Sequence, residues 1–403
     1  MRRGSRAAVA LALAASCAAP RPAPAPGERE AAPAEQATAV PAAAPRPATR
    51  RSAAAPVEVA LTAWCGRDEL EVIDAREGRA TFTRAVDGVR AGGRTRAGWV
   101  LAAGEDGQLR IGERSYPGKL SVTARELGGL DVRVAVELED YVAGVLAAEL
   151  SVWSAPPALL EAQAIAARSY AVAELDHRAR RGDAYLFDDT RDQVYAGLPP
   201  AGRAGDAVRA AVERTRGLVL REGDAVVDAR YHAACGGRTA LGRSVFPEAD
   251  FACLRPVSCP PCARLAGAPR DSTWETTVPR ERLDALAQAA GVGAPLSGLM
   301  PVEVDEGGRW LAASVRGATG SARLDFARVR RVLGAGDVQS ALVVSTWPRP
   351  GQRVEGGLYL AGRGRGHGVG LCQEGARGLA EQGWDARRIL DHYYPGARVV
   401  DGR

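Results

Sequence analysis

Between Leu138 and Leu150 the apolar positions Leu138, Tyr141, Val142, Val145, Leu146 and Leu150 recur at helical spacing, which predicts a short amphipathic helix. A second helix is predicted from Pro156-Pro157 onward, since proline suits a first turn. It runs through the alanine-rich stretch to Val172. Residues 151–155 join the two, so Glu149 is expected at a helix–loop–helix corner, open to a cleft. Its place at a helix C-terminus disfavours the ionised carboxylate and helps the proton-donating form. An ordinary surface glutamate is the plainer alternative.

Upstream, from Val57 to about Leu130, apolar residues alternate with Gly, Arg and Asp, as in residues 69–74, 97–101 and 107–111. Glycines punctuate them at short intervals, which predicts strands and turns. This segment reads as a small β-rich unit. From residue 131 helices and strands mix, with hairpin patterns at 218–231 and 302–315. The expected class is α+β: a small β-rich unit at 57–130, then a mixed α+β domain at 131–403.

The N-terminus changes the picture. Met1–Arg6 is basic and residues 7–15 are apolar, the pattern of a secretory signal over residues 1–17. Small residues precede Cys17 in a loose lipoprotein box, so lipidation at Cys17 is expected, with ordinary signal-peptidase cleavage as the alternative. Residues 18–56 are mostly Ala, Pro and polar residues, which cannot bury a core and read as a disordered tether. The expected location is the cell envelope, facing the periplasm or wall from a membrane anchor. The formal charge of +5 comes almost wholly from arginine, Lys119 being the single lysine. No concentrated basic stripe points to nucleic acid.

Seven cysteines are present. Cys259 and Cys262 form a CxxC turn, with His232 and Cys235 a short way upstream beside Gly236-Gly237. His232, Cys235, Cys259 and Cys262 would make a Cys3His structural zinc site. Disulfides among these cysteines are the alternative, with Cys253 as a partner for Cys235. Cys65 and Cys372 read as small buried hydrophobes. Near the C-terminus, glycines alternate around His367 in Gly362–Gly370, ahead of an apparent helix from Cys372 to Gln382. No Gly-Lys-Ser/Thr step accompanies them, so a phosphate-binding loop is excluded. His177 reads as a solvated residue near a helix end, and His392 as a packing residue.

Several blocks together carry a resemblance. Tyr141-Val-Ala-Gly-Val-Leu-Ala-Ala-Glu149 precedes Trp153 and Pro156, and then Ala162-Gln-Ala-Ile-Ala-Ala-Arg-Ser-Tyr-Ala171. Phe187–Gly197, Ala207–Leu220, Ala229–Thr239, Gly364–Ala376 and Ile389–Gly396 follow in order. These blocks resemble the sporulation stage II protein D (SpoIID/LytB) family over about two-thirds of the chain; the first ~130 residues do not share the likeness. The resemblance implies a SpoIID-type catalytic domain and a peptidoglycan lytic transglycosylase acting on glycan strands, often stripped of stem peptides. Glu149 would then be the one acid/base. Asp188 and Asp189, the nearest competing carboxylates, read as turn or capping residues. The resemblance also implies that Arg168, Tyr170, Gln193, Tyr195, His367 and Gln373 line the substrate groove, and, since some members of the family carry a metal at this place, it favours zinc over disulfides at the cysteines. For Tyr170 the alternative is core packing, and for His367 a loop-locking hydrogen bond. Where the family has Glu-Met-Pro, this chain has Glu149-Leu150-Ser151, which predicts a less rigid loop. The competing function is a non-catalytic wall-binding module that enhances a partner amidase.

Overall fold

The strand Leu130–Val136 alternates strictly, with Leu130, Val132, Val134 and Val136 buried and the residues between them part-exposed. That period-two pattern puts one face on a core. In the computed structural model, which describes residues 56–74, 78–103, 107–264 and 273–402, this strand is central in a five-stranded sheet. The sheet order is Tyr185–Phe187, Val57–Ala60, Leu130–Val136, Lys119–Ala124, Gly98–Ala102. Pairing is antiparallel except between Val57–Ala60 and Tyr185–Phe187. A six-stranded antiparallel sheet is built from short strands between residues 69 and 116. The leader, Cys17 and the tether through residue 55 lie outside the described residues.

Leu130–Val136 leads directly into helix α1, Leu138–Glu149. A 3-10 turn, Val152–Ser154, follows. Helix α2, Pro157–Ala179, starts with proline in its first turn. Both predicted helices are therefore present. The middle of α2, from Leu159 to Ala171, is buried almost all round, as expected of a helix packed centrally between other elements. Helix α3, Arg203–Arg214, and the helices Gln373–Glu381 and Ala386–Tyr393 pack around the same core. The predicted 218–231 hairpin forms between Leu218–Glu222 and Ala225–Val226, and the C-terminal strand Arg398–Asp401 adds to it.

The fold is α+β. It has a second apolar core that periodicity alone does not separate from the first. Trp274, Leu283, Leu286, Leu299, Val315, Phe326, Val329 and Leu360 belong to it. It is wrapped by two three-stranded sheets and the helices Arg280–Ala289 and Phe326–Leu333. This segment enters after Cys259 and Cys262. It leaves through the strand Leu358–Arg363 into the glycine-rich loop, which returns to the first core. Among the described residues, no helix is long and apolar enough to cross a membrane.

Candidate functional site

Glu149 is the last residue of α1; after it Leu150 turns extended, at φ −115° and ψ 149°. Arg377 Nη1 donates to the Ser154 carbonyl at 2.8 Å, tying the turn to the helix Gln373–Glu381. That exposed bond is a restraint on the loop in which Ser151 stands in place of proline. Trp153 stands 77% exposed on this turn.

The Glu149 carboxylate is half-buried. The Val194 backbone N–H donates to Oε1 at 2.9 Å. Tyr231 and Gln373 also face it. Burial pushes the Glu149 carboxyl above the usual carboxylate range, and these three hydrogen-bonding groups pull it part of the way back. The neighbouring loop carboxylates are committed elsewhere. Asp192 takes Arg178 at 2.6 Å, the Tyr170 hydroxyl at 3.0 Å and the Phe187 N–H at 2.7 Å. Asp189 takes the expected turn role, accepting the Arg191 N–H at 3.0 Å and pairing with its guanidinium at 2.8 Å. Asp188 does not: it accepts the Thr62 N–H at 2.9 Å across 126 residues and ties its loop to the segment just after the strand Val57–Ala60.

The groove-lining candidates separate into two groups. Gln373 and Gln193 are at the site. Gln373 is buried, and its Nε2 faces the Glu149 carboxylate from beyond ordinary hydrogen-bond distance. Gln193 bridges Tyr141, whose hydroxyl donates to Oε1 at 3.1 Å, and Tyr231, whose hydroxyl accepts from Nε2 at 2.9 Å. The others support the site from behind. Arg168 is 1% exposed and pairs with Glu139 at 2.6 Å, while donating to the Leu218 carbonyl at 3.0 Å. Its guanidinium is spent on joining α1, α2 and the strand after residue 217. Tyr170 is packed and bonded to Asp192. Tyr195 is fully buried between Tyr141, 5.2 Å away between ring centroids, and Tyr116, at 6.1 Å.

His367 takes the loop-locking part. Its Nδ1 accepts the Val369 N–H at 3.1 Å, so the ring proton is on Nε2 and donates to the Tyr231 carbonyl at 2.8 Å. Burial, and then His232 beside it, hold His367 well below the usual histidine range, and the ring is neutral. Gly364, Gly366, Gly368 and Gly370 all take positive φ, which explains the alternation as a backbone requirement.

The cysteines gather differently from the Cys3His expectation. The sulfurs of Cys235, Cys259, Cys262 and Cys372 lie within 4.8 Å of one another, all buried. Cys372 takes the fourth place expected for His232, and its reading as a small hydrophobe is corrected. His232 instead donates Nδ1–H to the Val369 carbonyl at 3.0 Å. Backbone N–H groups aim at the sulfurs: Cys235 and Gly375 at Cys372, Gly236 at Cys262 and Gly237 at Cys235, at 3.2–3.3 Å. Tyr393 Oη lies 3.1 Å from Cys259 Sγ. Hydrogen bonding from Cys235 holds the Cys262 and Cys259 thiols below the usual thiol range. Four converging sulfurs with amide donors around them are a donor set that could hold a tetrahedral metal ion. Among the described residues every cysteine is free of disulfides, and Cys253 lies apart from the cluster.

Two participants escaped sequence reasoning. Tyr231 lay within a quoted block but had no local signal marking it. Cys372 directly precedes Gln373, and a fourth sulfur in the C-terminal block was the available sign.

Comparisons with known proteins place the chain among relatives by sequence. The family described as Stage II sporulation protein matches residues 126–221. An uncharacterized protein of Brachyspira hyodysenteriae is 29% identical over 270 residues, covering 66% of this chain and 67% of the relative. Stage II sporulation protein D of Bacillus amyloliquefaciens is 27% identical over 279 residues, covering 66% and 75%. The Amidase enhancer of Bacillus subtilis is 25% identical over 290 residues, covering 60% of this chain and 38% of that protein. These likenesses support a cell-wall-related function.

Proposed function

The chain is assigned to the SpoIID/LytB family, and from that premise we propose that it is a peptidoglycan lytic transglycosylase acting on peptide-stripped glycan strands. The observation that carries the reading is the setting of Glu149: half-buried, raised in pKa by burial, held by the Val194 N–H, and with no carboxylate among the described residues that shift it. Hydrolysis by the usual route needs two carboxylates. A lytic transglycosylase needs one. Protonated Glu149 gives its proton to the glycosidic oxygen as the C1–O bond breaks. The C6 hydroxyl of the same muramyl residue closes on C1, and its proton passes to the Glu149 carboxylate. The products are a 1,6-anhydro end and a free hydroxyl end, with no water consumed. Gln373, which faces the Glu149 carboxylate, stands where it can also meet a sugar hydroxyl, and exposed Trp153 offers an aromatic face to a pyranose ring.

The four thiols fit a structural zinc ion, with Cys372 as the fourth ligand. Zinc would supply a rigid cross-link between the CxxC turn, the Cys235 loop and the start of the helix Gln373–Glu381, and no step of the reaction passes through it. A lipid anchor at Cys17 would keep the enzyme beside the wall polymer. The second reading, a modifier of a wall amidase, draws on the relative named Amidase enhancer.

Mass spectrometry of peptide-stripped strands incubated with the purified chain is the test. Anhydro-muramyl ends support the reading. Reducing muramic acid ends point to hydrolysis. Strand binding without products favours the modifier.

A further inference from the structure

The bonds around Gln193 have a direction. Its Nε2 lies 2.9 Å from Tyr231 Oη, and an amide nitrogen can only donate. The Tyr231 oxygen therefore accepts there, and its own proton is left for another acceptor. On the other side, Tyr141 Oη lies 3.1 Å from Gln193 Oε1, which can only accept. The chain of donation runs from Tyr141 to Gln193 to Tyr231. Val194, the next residue after Gln193, gives its N–H to Glu149 Oε1 at 2.9 Å. One short segment thus holds the carboxylate directly and orients the tyrosine that faces it.

Resting on the proposed acid–base reading of Glu149, we propose that Tyr231 is a positioning residue for that step, its hydroxyl proton directed at the carboxylate by the Tyr141–Gln193 chain. Tyr231 serves the half of the cycle in which Glu149 is ionised, after proton donation and before it accepts the C6 hydroxyl proton. The phenol keeps its proton throughout. Burial first, and then the neighbouring Glu149 charge, push it well above the usual phenol range. The surrounding titratable groups leave this arrangement intact. Tyr141 from α1 and Tyr170 from α2 are neutral phenols pushed up by burial. Asp192 is paired with Arg178, and Asp228 with Arg230 at 2.8 Å. His367, bonded to the Tyr231 carbonyl, and His232 beside it are both held below the usual histidine range by burial.

The test is a carboxyl NMR titration of Glu149 in the full chain, with pH–rate profiles on peptide-stripped strands. Tyr231→Phe is expected to move the Glu149 midpoint and the basic limb of kcat/KM to higher pH, because a donor to the ionised form is gone. It should lower kcat about tenfold, the loss of one hydrogen bond to a charged group. Gln193→Leu should move the midpoint the same way by less, and the double variant no further than Tyr231→Phe alone. An unmoved midpoint in a folded Tyr231→Phe protein overturns the proposal, and would mean that Tyr231 spends its proton on Gln193. Should Tyr231→Phe fail to fold, an unmoved midpoint in Gln193→Leu does the same. Absence of turnover in the wild type would defeat the transglycosylase reading, while the titration would still decide the role of Tyr231.

Discussion

Val194 donates its backbone N–H to Glu149 Oε1 at 2.9 Å, across 45 residues of chain. The aim of the carboxylate therefore depends on a loop that α1 does not itself contain. Burial by that loop and its neighbours raises the Glu149 pKa, and the Val194 bond moderates the rise. A group poised in this way can give a proton and take one back.

Glu149→Gln keeps the shape and loses the proton. Turnover of glycan strands should fall by at least ~10²-fold with strand binding retained. Rate assays paired with a strand sedimentation assay check this, and turnover near the wild-type level would end the assignment.

The same substitution has a stability consequence. A carboxyl whose folded pKa lies above its unfolded value holds its proton more tightly when folded. Stability then falls as pH rises from the ordinary glutamate value, about 4.3, through the folded pKa, and stays lower above it. Glu149→Gln removes that cost. The variant should be more stable than wild type at pH 7–8, with the gain vanishing below about pH 4. Thermal melts across pH test it; a variant less stable at neutral pH would contradict the raised pKa.

Gly144 sets how close the loop can come. A Cβ there would sit 2.3 Å from the Gly197 carbonyl oxygen and 2.4 Å from Tyr195 Cε2. Gly144→Ala should push the loop from α1, costing about 1–3 kcal/mol, and weaken the Val194–Glu149 bond. Denaturant unfolding and turnover should both suffer. Unchanged values for both would show that the loop has room to spare.

Arg168 spends its guanidinium on Glu139 and the Leu218 carbonyl. Removing it leaves Glu139 part-buried and unpaired, so Arg168→Ala should cost about 3–5 kcal/mol of stability. Where the variant is folded, KM for glycan strands should stay near wild type. A large KM rise without loss of stability would restore the substrate-binding role.

The cysteine cluster predicts about one zinc per chain in protein purified without added metal. Cys372→Ser should lower the zinc content, while His232→Ala should retain it. Chelator should expose Cys235, Cys259, Cys262 and Cys372 to alkylation. Indifference to chelator with loosening by reductant would indicate disulfides instead.

Local pattern determined a good deal of this molecule. The spacing of Leu138, Tyr141, Val142, Val145 and Leu146 gave α1, Pro156-Pro157 marked the start of α2, and the corner between them placed Glu149. Alternation made Leu130–Val136 a one-faced strand. Such features follow from the backbone's own periods of 3.6 and 2, which a short stretch of sequence displays in full. Tertiary structure alone decided the rest. Cys372 joins Cys235 across 137 residues, displacing His232 from the ligand set. Arg168 turned from substrate to Glu139, and Tyr231 reached Glu149 only once α1, the Gln193 loop and a two-residue strand were packed together. No local period encodes those meetings. They are fixed by which buried polar groups find partners when the whole core closes, because an unpaired one is costly.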